Sequence, residues 1–145
     1  MLELVSEKKS KGKSKSKSKF IDLLTLEGKR NGRPGNGREL DAFRKIRNTM
    51  TDTIIFLIEN YVDVLDLSKV RSFGFYYCGK RWEIYEATVE ELGPGKFRIR
   101  VSQIENGVLK FEESEIWRWV KLMRAMIALA IRMEAVSEYL NKAIK

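Results

Sequence analysis

Three cations stand at every second position of one short segment of the sequence. Lys96, Arg98 and Arg100 alternate there with apolar residues in the stretch KFRIRV. Successive side chains of a β-strand point to opposite faces, so this pattern predicts a strand with one cationic face and one apolar face. The cationic face is excluded from the core, because three buried cations without partners would be very costly. Such a row of exposed cations is suited to the phosphates of a nucleic acid.

Aromatic residues in the preceding segments extend this constellation, because unpaired bases stack on flat rings. The candidate nucleic-acid-binding residues are the three cations of that strand, three aromatic residues before it and three cations near the strand ends: Lys96, Arg98, Arg100, Tyr76, Trp82, Tyr85, Arg71, Lys80 and Arg81. The sequence does not fix the strand register, so a second interpretation stays open, in which the rings fill the core. Stacking requires the rings on an open side of the sheet, and a helix that buried them would contradict it.

Helical and β patterns follow one another in a simple order. Apolar residues at spacings of three and four predict a helix over 39–61. Period-two patterns then predict four strands, at 70–77, 81–89, 96–104 and 108–111, with Asn106-Gly107 as the hairpin turn between the last two. The short turns favour an antiparallel four-stranded meander, and the predicted fold class is α+β.

The last apolar pattern predicts a long helix over 115–144 with two apolar stripes. One stripe keeps a 3,4,3,4 spacing from Trp119 to Ala143, as in the seam of a coiled coil, and the other runs from Ile116 to Ile131. A surface helix needs only one apolar face, so the second stripe favours a homodimer or tetramer formed through this helix. The alternative is a central helix that its own domain buries on all sides.

Most of the net charge of +8 lies in the first quarter of the chain. Residues 1–38 hold eleven Lys and Arg against four Asp and Glu, a net charge of +7, which leaves +1 for residues 39–145. The stretch KSKGKSKSKSK has no apolar residue to bury, and the Gly-rich stretch GKRNGRPGNGR cannot continue a helix or a central strand. We therefore predict a disordered basic tail and linker over 1–38 and one nucleic-acid-binding domain over 39–145. The apolar island FIDLLTLE within the tail either docks on the domain or forms a nascent helix.

Several enzyme classes lack their residues in this sequence. The chain of 145 residues has no His and a single Cys, Cys78, which excludes a Ser-His-Asp triad, a Cys-His pair, the usual zinc sites and an intrachain disulfide. We expect a protein that is not an enzyme and that holds no cofactor or metal. Neither a secretory signal nor a membrane-spanning segment can be read from the sequence, and the expected location is the cytoplasm.

The basic tail, the helix, the basic and aromatic sheet and the long apolar terminal helix together resemble the ThermoDBP family. The resemblance covers about residues 39–145 and is carried by the layout and by the stretches FGFYYCGKRWEIYEA, KFRIRVSQIENG and EIWRWVKLMRAMIALAIRM. This family consists of single-stranded DNA-binding proteins of thermophilic archaea. It implies sequence-tolerant binding of single strands in a cleft with apolar and basic walls, and assembly through the terminal helix. Abundant Lys, Glu and Arg with a single Gln is also typical of a thermophile.

The expected function is therefore sequence-tolerant, non-enzymatic binding of single-stranded DNA. Three other interpretations stay open: a duplex-DNA-binding chromatin or transcription protein, an RNA- or ribosome-associated protein, and a scaffold whose long helix binds a different protein. No helix-turn-helix is legible, because the helix before the sheet has no helical partner after a short turn. If about five phosphates are neutralised, the logarithm of the binding constant should fall against the logarithm of salt concentration with a slope of about −3.5.

Overall fold

The computed structural model describes residues 2–4, 19–29 and 37–144 of the chain. In chain order their elements are β1 (Leu2–Leu4), β2 (Lys19–Ile21), β3 (Leu24–Lys29), α1 (Gly37–Tyr61), β4 (Arg71–Cys78), β5 (Arg81–Gly93), β6 (Lys96–Val108) and α2 (Ile116–Ile144). The predicted fold class, α+β with a helix, a four-stranded sheet and a long C-terminal helix, is confirmed. β1 and β2 pair with each other outside the main sheet.

The main sheet has the strand order β3-β4-β5-β6. β4, β5 and β6 form an antiparallel meander as predicted, but β3 lies parallel to β4, with Leu24 opposite Phe73. The prediction of a wholly antiparallel sheet is therefore wrong at this edge. Parallel neighbours need a crossover connection, and α1 provides it because it lies between β3 and β4 in the chain.

The predicted hairpin before 108–111 does not form, because β6 continues through Asn106 and Gly107 to Val108. Gly107 pairs with Trp82 of β5. A Cβ atom added at position 107 would lie 2.6 Å from the nearest atom of the Trp82 ring. Gly107 is thus needed because the Trp82 ring comes close to the backbone at this position, and not because the chain turns there. Such a close approach is one of the reasons for a glycine within a strand.

α1 covers one side of the sheet with the apolar stripe that its sequence predicts. Ile46 and Met50 are completely buried, and a Cβ atom added at Gly74 of β4 would lie 2.7 Å from both side chains. The Ser72 hydroxyl donates a hydrogen bond to the Met50 carbonyl at 2.9 Å. Even-numbered residues of β4 therefore face α1, and odd-numbered residues face the opposite side.

α2 crosses that opposite side of the sheet. Leu129, Val136 and Leu140 of α2 are buried, and so is Phe73 of β4 beneath the helix. The Asp66 amide, in the connection before β4, donates a hydrogen bond to the Tyr139 hydroxyl. The predicted coiled-coil seam thus packs on the chain's own sheet.

The second apolar stripe of α2 is exposed. Its members are Ile116, Val120, Met123, Ile127 and Ile131, each at least 42% exposed. At 3.6 residues per turn, Ile127 and Ile131 lie about 160° around the helix from Leu129, which faces the sheet. The alternative of a helix buried on all sides is therefore wrong for this part of the chain. None of the helices within 2–4, 19–29 and 37–144 has the length and apolarity that crossing a membrane requires.

Part of the predicted disordered tail belongs to the folded unit. β3 adds an edge to the sheet, Leu23 is buried in the core, and Glu27 forms an ion pair of 2.9 Å with Lys45 of α1. The boundary at residue 38 is wrong here, because the apolar island supplies side chains that the core can bury; its docking on the domain is confirmed. Residues 1, 5–18 and 30–36 of the predicted tail lie outside the described residues.

Candidate nucleic-acid interface

The predicted cationic row lies on β6, an edge strand of the sheet. Lys96, Arg98 and Arg100 are all exposed. Arg100 of β6 pairs with Thr88 of β5, and Thr88 pairs with Arg71 of β4. Because odd-numbered residues of β4 face α2, the row points to the side of the sheet that α2 crosses. Glu90 Oε2 lies 3.8 Å from Arg98 Nη1 and 3.6 Å from Arg100 Nη2. The two guanidinium side chains nevertheless remain 55% and 62% exposed.

A second carboxylate on the same side brings in a cation from α2. Arg132 Nη1 lies 3.4 Å from the Glu86 carboxylate. Glu86 is two residues before Thr88 in β5, so both side chains point to the side of the sheet that α2 crosses. Arg71 Nε lies 3.4 Å from the same carboxylate, but this side chain is only 29% exposed and also donates a hydrogen bond to the Val70 carbonyl. We call the exposed cations Lys96, Arg98, Arg100 and Arg132 the cationic rim.

The three rings predicted to stack bases are buried. Tyr76, Trp82 and Tyr85 are 1%, 2% and 8% exposed. Tyr76 and Tyr85 face α1, whose Phe43 ring centroid lies 5.2 Å from that of Tyr85. Trp82 shares the α2 side with the cationic row, but its ring lies over Gly107. The stacking role of these residues is therefore wrong: a helix covers each side of the sheet, and the rings fill the core.

The two buried tyrosine hydroxyl groups have different surroundings. Tyr85 donates a hydrogen bond of 2.6 Å to Glu83 Oε2. Tyr76 has the Cys78 thiol as a neighbour but no partner with hydrogen-bond geometry among the described residues. Burial raises the pKa of both tyrosines well above the ordinary value, and the hydrogen bond to Glu83 raises the pKa of Tyr85 further. Both side chains are therefore neutral core groups at physiological pH.

The remaining candidates, Lys80 and Arg81, lie at the other end of the sheet. Lys80 is in the turn between β4 and β5, and its Nζ lies 4.9 Å from the centroid of the Phe111 ring. Arg81 faces the α1 side and lies 3.8 Å from Glu83. This end is about seven residues along β6 from Arg100, or about 23 Å at the usual rise of a strand. Neither residue joins the cationic rim.

Sequence reasoning missed a group of exposed rings around the start of α2. Phe111, Trp117 and Trp119 are 74%, 53% and 36% exposed. The Trp119 indole donates a hydrogen bond of 2.9 Å to the Lys110 carbonyl, and its ring centroid lies 5.5 Å from that of Phe111. The stretch KFEESEIWRWVK contains a sequence signal for these exposed rings, because its aromatic residues stand near cations and Trp117 belongs to neither apolar stripe of the helix.

The exposed rings and the cationic rim lie on opposite flanks of α2. Lys121 lies 3.6 Å from Glu105 of β6, which fixes the flank that faces β6. Trp119 is about 160° around the helix from Lys121, so it lies on the flank that faces β4 and β3.

On that side of the sheet Tyr77 of β4 is exposed, and its ring covers Gly28 of β3, where a Cβ atom would overlap it. We call Tyr77, Phe111 and Trp119, with Lys80, the aromatic rim.

Within the described ranges, no three His, Cys, Asp or Glu side chains are grouped as ligands for a metal ion. Comparisons of the chain with protein-family models, with curated proteins and with solved structures found no match.

Proposed function

We propose that this protein binds single-stranded DNA with little sequence preference and acts as a binding protein rather than an enzyme. The cationic rim is the observation that carries this proposal, because Lys96, Arg98 and Arg100 are exposed together on one side of β6. Cations in such a row match the phosphates of a nucleic-acid backbone, and contacts to phosphates carry no sequence information. The resemblance to the ThermoDBP family implies the same function.

The carboxylate within the cationic rim favours exchange with a phosphate. Glu90 holds Arg98 and Arg100 towards one point, and its own side chain is 52% exposed. Exposed ion pairs of this length contribute little free energy, since water competes for both groups. A phosphate can therefore replace Glu90 between two guanidinium groups that are already oriented.

The N-terminal sequence supplies a long-range attraction to the same ligand. Its net charge of +7 over residues 1–38 favours the approach of any polyanion, and salt weakens that attraction. We place the protein in the cytoplasm, where nucleic acid is present and a lone thiol such as that of Cys78 stays reduced.

The exposed stripe of α2 supports a homodimer. Its five large apolar side chains lie on the face turned away from the sheet, at the spacing that two helices need to pack side by side. Contiguous exposed apolar patches of this kind mark protein–protein contacts. A dimer formed in this way leaves the cationic rim of each chain open, because the rim lies on the sheet side of α2.

The function is tested by titrating the full chain into a fluorescently labelled single-stranded DNA 20-mer at about 50 mM salt. The same protein is titrated into the matching duplex and into an RNA 20-mer. We expect the single-stranded DNA to bind most tightly and Arg98→Ala/Arg100→Ala to weaken that binding about tenfold or more. The control is Arg44→Ala/Arg47→Ala, which makes the same change in net charge at exposed positions of α1.

Equal losses in the two double variants would show that only net charge matters, and would contradict a site on β6. If the duplex or the RNA bound more tightly than the single-stranded DNA, that nucleic acid would be the ligand instead. If the protein bound none of the three nucleic acids, the interpretation that would remain is a scaffold whose long helix binds a different protein.

The dimer is tested by light scattering coupled to gel filtration. We expect the wild-type chain, with a mass of 16.9 kDa, to elute at twice that mass or a higher even multiple. Ile127→Glu should yield the monomer, because it places a charge in the centre of the stripe. Leu92→Glu, at an exposed apolar residue near the end of β5, is the control and should stay dimeric. A monomeric wild-type chain at micromolar concentration would contradict the dimer.

A further inference from the structure

We propose that the aromatic rim stacks unpaired bases of the same single strand that the cationic rim holds by its phosphates. The bound strand then passes from β6 over the start of α2 to the β4–β5 turn, which sets a minimum length for tight binding. This inference rests on the proposed function and adds to it the path and the length of the ligand.

The rings of the aromatic rim are exposed and held in place, as a stacking surface requires. Phe111 is the most exposed of the large apolar side chains of the described residues. Trp119 is fixed by its contact with Phe111 and by its hydrogen bond to the Lys110 carbonyl. Tyr77 lies flat against Gly28, which has no side chain to displace it. Fixed rings lose little conformational entropy when a base stacks on them.

Cations accompany these rings, which favours a polyanion as the occupant. The Lys80 ammonium lies 4.9 Å from the Phe111 centroid, and Lys110 precedes that residue in the chain. Three carboxylates follow Phe111 in the chain, Glu112, Glu113 and Glu115, and of these Glu115 is paired with Arg118 at 2.7 Å and lies 4.0 Å from Lys110. The hydrogen bond from Arg118 lowers the pKa of Glu115, so this pair persists at neutral pH.

A second copy of the chain is the competing occupant of an exposed apolar surface. The stripe from Ile116 to Ile131 on the outer face of α2 provides a longer and wholly apolar contact for that purpose. The aromatic rim lies on the flank of α2 that faces the sheet, beside a lysine. The Lys80 ammonium beside the Phe111 ring therefore favours the nucleic acid at the rim, and the wholly apolar outer stripe favours the second copy.

Trp117 lies between the two rims. Its ring is exposed at the start of α2, and the Arg118 guanidinium lies 4.4 Å from the ring centroid. A strand that leaves Arg100 towards Phe111 passes this ring. A base can stack on its open face, since the guanidinium occupies only one side.

The separation of the rims gives the length of the ligand. In the register, Tyr77 lies two strands and about seven residues from Arg100. With about 4.8 Å between strands and about 3.3 Å per residue, the two positions are about 25 Å apart. A stacked single strand advances about 3.4 Å per nucleotide, so the two rims are joined by at least about seven nucleotides, because the strand passes over α2 and not along the straight line between them.

The test compares Phe111→Ala with Ile55→Ala, which removes an exposed apolar side chain of α1, on the opposite side of the sheet from both rims. Stacking of one base on an aromatic ring corresponds to roughly 5- to 150-fold in affinity. We expect Phe111→Ala to weaken binding of a dT 20-mer by a factor in this range and to change duplex binding less than twofold. Phe111→Tyr, which keeps the ring, should restore the affinity, and Ile55→Ala should behave as the wild type.

A length series of dT4, dT8, dT12 and dT20 tests the path. We expect the affinity of the wild-type chain to rise steeply between dT4 and dT12, and the rise to be much smaller in Phe111→Ala. Equal affinities of Phe111→Ala and Ile55→Ala for dT20 would overturn the inference, whereas a continued effect of the Arg98 and Arg100 changes would keep the proposed function intact. A change in oligomeric state without a loss of affinity would also overturn it, because the rim would then join two copies.

Discussion

The middle of the sheet and the edges of α2 use the same residue types in opposite ways. In the middle, Tyr76, Trp82 and Tyr85 are sealed between the sheet and a helix. At the start of α2, Phe111 and Trp119 are exposed and lie near lysines. A ring on a strand therefore becomes a core residue or a binding residue according to whether a helix covers it, and the strand's own pattern does not contain that information.

The cations show the same contrast. Arg71 lies in the covered part of the sheet, where Glu86 and the Val70 carbonyl take up its donors. Arg98 and Arg100 lie on the uncovered part of β6 and share one exposed carboxylate. Coverage by α2 thus separates structural arginines from arginines that can meet a ligand.

The largest effect expected from this contrast is on stability. Trp82→Ala removes a buried ring and should lower the free energy of unfolding by about 3–5 kcal/mol. Phe111→Ala removes an exposed ring and should change it by no more than about 0.5 kcal/mol. Urea unfolding followed by circular dichroism measures both values. Similar losses in the two variants would mean that the core and the rim are not distinct.

A smaller effect is expected at a buried hydroxyl group. Tyr85→Phe removes the hydrogen bond to Glu83 and leaves that carboxylate without its donor, which should cost about 1.5–3 kcal/mol of unfolding free energy. The same urea unfolding experiment measures this loss. The DNA affinity, measured at low salt and without urea, is the control. A loss of DNA affinity without a loss of stability would place Tyr85 in the interface instead of the core.

The pH dependence of stability tests the same buried tyrosines. Burial raises the pKa of Tyr76 and Tyr85 in the folded chain, so their contribution is fully present below the unfolded value of about 10. It should be lost progressively as pH rises above that value, because the unfolded chain releases these protons more readily. Unfolding free energies between about pH 8 and pH 11 should fall more steeply in the wild type than in Tyr76→Phe/Tyr85→Phe. Parallel curves would contradict the burial of both hydroxyl groups.

Removing the carboxylate of the cationic rim should strengthen binding. Glu90→Gln releases Arg98 and Arg100 for phosphate and should raise the affinity for a single-stranded 20-mer by up to about fivefold, the range of an exposed ion pair. Glu59→Gln, at an exposed position of α1, makes the same charge change away from the rim and is the control. A Glu90→Gln variant that binds more weakly would mean that orientation by the carboxylate outweighs competition from it.

The smallest effect is expected at Tyr76. Its hydroxyl group is buried without a partner of hydrogen-bond geometry in the described part of the chain, so Tyr76→Phe should change the unfolding free energy by less than about 0.5 kcal/mol. A loss above about 1 kcal/mol in the urea measurement would reveal a partner for this group.

Periodicity alone predicted most of the regular elements. The apolar stripe of α1 places its helix within two residues of the observed Gly37–Tyr61, and the alternating residues place β4, β5 and β6 correctly, although β5 and β6 extend beyond their predicted ends at 89 and 104. The cations of β6 were also predicted correctly as exposed, because no helix can bury three adjacent charges of one sign at low cost.

Long-range contacts explain what the sequence could not predict. β3 carries only a short apolar pattern, and its parallel place beside β4 depends on α1 crossing over the sheet. The Asn106-Gly107 pair predicted a turn. The real reason for the glycine is the Trp82 ring packed against it, and Trp82 is distant in the sequence. The exposed rings were missed because Trp119 continues an apolar seam, and its exposure follows only from where α2 lies on the sheet.

The salt dependence of DNA binding is the most direct test of phosphate binding by the cationic rim. The affinity for a single-stranded 20-mer is measured from about 50 to 200 mM salt for the wild type, Arg98→Ala/Arg100→Ala and Arg44→Ala/Arg47→Ala. We predict a slope of about −3.5 for the wild type and for the α1 variant, and a slope shallower by about 1.4 for the β6 variant, because two phosphate contacts are lost. The same slope in all three proteins would contradict phosphate binding by the cationic rim.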